Sequence, residues 1–295
     1  MVPSSRQRYS SSQVLPLSLL AGVLIIALGT VSLVAIYLNR VSASVGSMAK
    51  SAPLESYAGR PEKSAPSPGS MAPVDYLLLV ADADHNLLSV HLVNLAGSRQ
   101  ELTLVSLPSD LLVSSGPRRA HRTLADLYRA AGSQEVTKQV EQLLGVRTDH
   151  QARLAVDGFP MVVDAIGGME KVAASPAETD PTAYIAAAPD APGRAQRVSE
   201  VVRGTLEQLG MTHAMINPPR FDAVLRALEH CTQIDSQLTS DELEATVMES
   251  SVRAEDIGEY LLPTVPVKDG RTPVPQGLVA LRKALAADSV SSLTR

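Results

Sequence analysis

The sequence predicts an α/β protein carried behind an apolar N-terminal segment. Strand-like and helix-like stretches alternate from residue 74 to the C-terminus, as they do when helices are layered on a sheet. Three β-type runs open that region within Asp75–Asp110: DYLLLVADAD, NLLSVHLVNL and QELTLVSLPSD. About 220 residues follow residue 73, enough for one domain with a full core.

Before the domain, Val14–Leu38 holds no charged residue. At about 1.5 Å per residue, a helix of that length spans a hydrocarbon core of about 30 Å. Arg6 and Arg8 precede it, and Tyr37 sits where an interfacial aromatic belongs. A cleaved signal peptide usually has an apolar core of only about 7–15 residues. The expected layout is therefore a cytoplasmic tail at 1–13, an uncleaved transmembrane helix at 14–38, a flexible tether at 39–73 and an extracytoplasmic domain at 74–295. The tether is expected from its Ser, Ala, Pro and Gly content and its lack of apolar periodicity, which bury too little surface to offset chain entropy.

Within the domain, Tyr76–Val80 is solidly apolar, as a strand covered on both faces is. Leu87–Leu95 mixes apolar residues with His91 and Asn94, and Glu101–Leu107 stops at Pro108, whose missing N–H suits a strand end. Asp82, Asp84 and Asp110 fall where strands give way to loops, which in α/β folds is where ligands sit. Aspartate is also an ordinary turn residue. LLVSSGPRRAHRT reads as a loop with four basic residues, Arg118, Arg119, His121 and Arg122. TLADLYRAAG is a helix stopped at Gly132, and SQEVTKQVEQLLG a second with Ser133 as its N-cap and Gly145 as its end. HQARLAV is a strand, GFPMVVDAIGG a brief helix and MEKVAA a strand; residues 174–195 are loop.

RAQRVSEVVRGTLEQLG is a helix with Val198, Val201, Val202, Leu206 and Leu209 along one face. Arg194, Arg197 and Arg203 lie near its start. There the helix dipole disfavours cations unless an anion faces them, so the cluster is either a solvated basic face or an anion patch. A helix at 219–229, a strand at Thr232–Ile234, a helix at 240–249 capped by Ser240, a strand pair in EYLLPTVPV and a helix at 276–287 complete the chain.

The net charge of −5 argues against nucleic acid as a partner, and no helix-turn-helix or zinc pattern appears. The single Cys231 forms no internal disulfide and reads as a core residue. There is no Trp, and the only Phe residues are Phe159 and Phe221, which argues against a sugar-stacking surface.

VEQLLGVRTDHQARLAVDGFPMVVDAIGGMEKV resembles the middle of LytR-CpsA-Psr domains. LTLVSLPSDL is similar to that family's "ivSiPRD" strand end, DYLLLVADAD to its "NiLLlGtDs" opening, and GRAQRVSEVV to its "GR-x-x-RQ" helix start. The resemblance covers roughly residues 74–265 and implies an α/β/α sandwich with a central mixed sheet. It also implies a membrane-anchored phosphotransferase that moves a glycopolymer from a polyprenyl-pyrophosphate carrier to a cell-wall acceptor, with magnesium or manganese as cofactor.

Carried over by position, Asp82 matches a metal aspartate. The second metal position falls at Asn86, with Asp84 as a displaced substitute. Asp110 matches, while Ser109 stands where the family has arginine. Arg194 and Arg197 match, Asp190 lies by the expected acid, and Val198 replaces a glutamine. Tyr184-Ile185 is followed by three alanines where paired arginines are expected. Arg118, Arg119 and Arg122 are the candidates to replace that charge. Two functions follow: a phosphotransferase with an altered site, or a non-catalytic relative that binds polyprenyl-phosphate lipids or envelope proteins.

Overall fold

The computed structural model describes residues 36–115, 120–173, 178–209 and 217–294. Its elements in chain order begin with helix α1 (36–47), then β1 (Ala49–Ser51), β2 (Val74–Ala81), β3 (Leu87–Leu95), β4 (Leu102–Pro108), β5 (Leu112–Ser115), β6 (Ala120–Thr123) and α2 (Leu124–Leu144). After these come β7 (His150–Ala155), α3 (Phe159–Ile166), α4 (Pro181–Ala186), α5 (Ala191–Leu209), α6 (Pro218–Cys231), β8 (Thr232–Asp235) and α7 (Ser240–Glu249). The chain closes with β9 (Ile257–Leu261), β10 (Thr264–Val267), β11 (Gly270–Pro273) and α8 (Pro275–Ala286).

The fold is mixed α/β around a central mixed sheet of seven strands, ordered β1-β8-β7-β2-β3-β4-β9. β2 runs antiparallel to β3 and parallel to β7; β4 runs antiparallel to β3 and parallel to β9. The apolar run of β2 is explained by burial on both sides. Leu77, Leu79 and Ala81 join a core closed by α2 and α8, whereas Tyr76, Leu78 and Val80 face a second core built on α3, α5 and α6. Removing such surface from water stabilises by about 25 cal/mol per Å² of apolar area, which is why the central strands need no amphipathic alternation.

The polar residues of β3 are satisfied inside the sheet. His91 lies between two hydroxyls, Nε2 2.8 Å from Ser89 Oγ and Nδ1 3.0 Å from Ser106 Oγ. Burial pushes its pKa down to about 3, so it stays neutral. Asn94 donates from Nδ2 to Asp75 Oδ1 at 2.9 Å.

The two helices expected on either side of Gly132 are present: they lie end to end in α2, broken at Gly132, which is outside helical geometry at φ 76° and ψ −170°. Thr123, whose hydroxyl accepts from the Asp126 N–H, caps the start of α2, and Gly145 in left-handed conformation caps its end. Other expectations are corrected: within the basic loop after Asp110, Leu112–Ser115 and Ala120–Thr123 pair as strands β5 and β6. MEKVAA is not a strand: Met169–Lys171 form a 3-10 turn. The expected loop at 174–195 contains α4, and Thr239 rather than Ser240 caps α7.

The stretch expected as a tether is tied to the domain at several points. In α1, Val41 packs against Phe221 and Leu225 together with Tyr37 and Leu38, the last residues of the expected transmembrane segment; the Tyr37 ring stacks on Phe221 at 5.0 Å. β1 adds to the sheet edge beside β8. Further on, Arg60 pairs with Glu141 and Lys63 with Asp149. Among the described residues no helix is long and apolar enough to cross a membrane. Of the segment Val14–Leu38, all but residues 36–38 lies outside the described residues.

Candidate functional site

Because β2, β4, β7 and β9 run in one direction, their C-terminal ends share one edge of the sheet. Both Asp82 and Asp110 leave the sheet there. Ser89 pairs with Val80 on one side and Pro108 on the other, so the two strand ends lie about 10 Å apart.

Asp110 is the centre of a cluster. Its Oδ1 is buried with no hydrogen-bond partner. Burial raises its pKa above the ordinary carboxylate range, Arg271 pulls it down, and Asp190 and Arg194 add opposing smaller effects. Asp190 precedes α5, where its Oδ1 accepts from the Gly193 N–H at 2.9 Å and its carbonyl from the Arg194 N–H at 2.9 Å. Among the described residues the Arg194 side chain makes no hydrogen bond or ion pair. Arg271 Nη1 lies 3.7 Å from Asp190 Oδ2. Two strand ends and one helix start thus bring two carboxylates and two guanidinium groups together. A carboxyl of raised pKa beside cations suits proton transfer to or from a bound anion.

Asp82 is occupied differently. Asn86 donates to both of its oxygens, from the backbone N–H to Oδ1 at 2.8 Å and from Nδ2 to Oδ2 at 3.0 Å. The Asp82 N–H in turn donates to the Asn86 carbonyl at 3.0 Å. Asp82 therefore latches the β2–β3 turn, and Asn86 holds the turn against α2 by accepting from Arg129 Nη2 at 3.3 Å. Asp84 is exposed in that turn. Among the described residues no three His, Cys, Asp or Glu side chains converge as a metal would require. A hard divalent cation needs several free oxygen donors in one place. Asp82 and Asp84 as arranged do not fit magnesium or manganese, and the unpaired oxygen of Asp110 is a single donor.

Arg197 and Arg194, one turn apart on α5, have different surroundings. Arg197 lies over the Tyr184 ring, 4.7 Å from its centroid, and donates to the Tyr184 carbonyl. The Tyr184 hydroxyl donates to Glu200; burial and that carboxylate push its pKa up to about 12. Arg203 pairs with Glu207 and Glu259. Arg197 and Arg203 are thus bound within the scaffold. Arg118 and Arg119 lie outside the described residues, and Arg122 is exposed on β6. Between the β5–β6 and β10–β11 hairpins lies a cavity of about 290 Å³, lined by Leu112, His121, Val267, Lys268, Asp269 and Thr272.

Sequence reasoning missed Arg271. It lies 161 residues after Asp110, on a strand of a separate hairpin, and no local motif marks it. The one available signal was its neighbour Gly270, at φ 153°, where a Cβ would come 2.6 Å from the Asp110 carbonyl oxygen.

Residues 88–188 match the LytR_cpsA_psr family. Over 79 residues the chain is 34% identical to the "Probable cell wall biosynthesis protein LcpB" of Corynebacterium glutamicum. That stretch covers 26% of this chain and only 18% of the relative. In three dimensions the chain is similar to a LytR-Csp2A-Psr enzyme from Actinomyces oris, with TM-score 0.61 at 20% identity over 82% of this chain and 96% of that one. It is likewise similar to TagT bound to LIIa-WTA, with TM-score 0.55 at 17% identity over 79% of this chain and 99% of the other. At such identities these structures establish a shared fold.

Proposed function

We propose that this chain, whose residues 88–188 match the LytR_cpsA_psr family, is a member of that family and a cell-envelope phosphotransferase acting on a glycopolymer carried by a polyprenyl pyrophosphate. The observation that carries this reading is Asp110, whose buried Oδ1 lacks a partner and on which the charges of Arg271 and, more weakly, Arg194 act. The relative named for cell wall biosynthesis and the structural neighbour holding LIIa-WTA support the substrate class.

In this reading Arg194 binds phosphoryl oxygens through its planar fork and stabilises the charge that grows on them during transfer. Asp110 takes the proton from the cell-wall acceptor hydroxyl as its oxygen attacks phosphorus. The bond from that phosphorus to the bridging oxygen breaks, and the lipid phosphate departs with the bond's electrons. Arg118 and Arg119, which lie outside the described residues, and Arg122 on β6 contribute charge to substrate binding, and Asp190 sets the start of α5, which carries Arg194. The apolar segment that starts at Val14 anchors the chain in the cell membrane, its last residues Tyr37 and Leu38 docking on the domain, which lies outside where the lipid-linked substrate is met. Magnesium or manganese would require donors beyond Asp82 and Asp84, and no step here depends on either ion.

A second reading, binding of the lipid-linked anion without turnover, is favoured by the commitment of Asp82 to Asn86 and of Arg197 to Tyr184. The test uses the full chain in lipid nanodiscs with a polyprenyl pyrophosphate, with and without magnesium or manganese, and measures binding and phosphate release together. Turnover lost in Asp110→Asn supports the transferase. Binding without release under every condition supports the second reading, and absence of binding overturns both.

A further inference from the structure

We propose that Arg271, delivered by the β10–β11 hairpin, is a second anion-binding arginine of the Asp110 site and contacts the phosphoryl oxygens of the substrate together with Arg194. This deepens the phosphotransferase reading and rests on it. The Arg271 N–H donates to the Asp110 carbonyl at 2.9 Å, and Leu111 and Arg271 form an isolated parallel bridge. The hairpin is thereby fastened to the end of β4. Gly270 permits the approach, since any side chain there would meet the Asp110 carbonyl oxygen at 2.6 Å and Leu112 Cγ at 3.0 Å.

The Arg271 side chain keeps most of its donors available. Arg271 is only 18% exposed, yet of its five N–H groups only the one on Nε is hydrogen-bonded, to Thr264 Oγ1 at 2.9 Å. Nη1 stops 3.7 Å from Asp190 Oδ2, beyond hydrogen-bond range. The open N–H groups reach solvent and are free to meet an anion, and phosphate fits the fork in a bidentate manner. Thr264 fixes the plane of the group, so its orientation is set before the anion arrives.

The test measures affinity of the full chain for inorganic pyrophosphate, and separately for a polyprenyl pyrophosphate in nanodiscs, alongside thermal unfolding. Arg271→Gln keeps polar bulk but no charge and is expected to weaken both affinities by about tenfold or more, with Arg271→Lys recovering part of the loss. Lys283→Ala, an exposed cation on α8, serves as the control and is expected to bind as the wild type does. Gly270→Ala, which pushes the hairpin off Asp110 while keeping every charge, is expected to weaken binding as well. Arg271→Gln binding with wild-type affinity, while Arg194→Ala is weakened, overturns the role of Arg271 and leaves the function standing. A wild-type chain that binds neither ligand overturns the functional reading itself.

Discussion

Arg60 grips Glu141 with two nitrogens, Nη2 2.8 Å from Oε1 and Nε 3.0 Å from Oε2, and the Glu141 side chain is completely buried. The same carboxylate accepts the Tyr57 hydroxyl at 2.7 Å and both the hydroxyl and the N–H of Thr148, at 2.7 and 2.9 Å. One carboxylate of α2 thus anchors the segment that precedes the domain and the loop that leads into β7.

Removing one partner of such a pair leaves a buried charge uncompensated. Arg60→Ala is therefore expected to cost about 3–5 kcal/mol of unfolding free energy, read by chemical denaturation. Unchanged stability would mean that the strap is peripheral. The pH dependence gives a second readout. Burial alone would raise the Glu141 pKa, and the bonds from Arg60, Thr148 and Tyr57 more than offset it, leaving it below the ordinary glutamate value. A depressed carboxylate contributes stability above its unfolded pKa that is lost as pH falls through the folded one. In Arg60→Ala that loss should begin at higher pH.

Asp75 behaves in the opposite sense. It is 2% exposed and accepts one bond from Asn94; burial first, then Asp149 and Asp288, push its pKa up to about 7, with Asn94 and Lys63 acting the other way. A raised carboxyl pKa favours the folded state at low pH. The advantage falls as pH rises from the unfolded value near 4 to about 7, above which the penalty is constant. Asp75→Asn should flatten that decline and stabilise the protein at pH 8, by an amount on the order of a few kcal/mol. A variant that is less stable than wild type at pH 8 would show that the carboxylate is compensated there.

Much of the fold was legible because it follows from periodicity and punctuation. The apolar run at Tyr76–Val80, the glycines at 132 and 145 and the stripe of α5 each act locally, so their positions in the chain report their structure. The strap was not legible. Its Ser, Ala and Pro content describes a tether, and what holds it are long-range contacts such as that of Arg60 with a glutamate 81 residues away. The site divides the same way. Asp110, Asp190 and Arg194 sit at element boundaries that a sequence can show. The role of Asp82 depended on the side chain at 86, and Arg271 on a hairpin packed across the strand end.

Asp82 yields a prediction that separates turn from metal ligand. Asp82→Ala removes both bonds from Asn86 and should cost about 1 kcal/mol of stability through the β2–β3 turn. Calorimetric titration with magnesium or manganese should give the same isotherm for variant and wild type. A metal affinity that disappears with Asp82 would show instead that the latch opens and the carboxylate ligates.

Arg194 and Arg197 are expected to fail in different assays although they stand one turn apart. Arg197 donates to the Tyr184 carbonyl and covers its ring, a contact worth about 0.5–1 kcal/mol when partly exposed. Truncating it should lower the unfolding temperature, because α4 loses its tie to α5. Pyrophosphate affinity should stay within about twofold, since a structural tie acts on the anion only through the backbone. Arg194 has no such tie, so Arg194→Ala should leave the unfolding temperature unchanged and weaken pyrophosphate binding by about tenfold or more, the cost of one charge-assisted contact to an anion. Measuring both quantities on both variants makes the assignment testable in each direction. Were Arg197→Ala to lose affinity at unchanged stability, the cation would have left Tyr184 for the substrate, and the binding site would extend along α5 by a full turn.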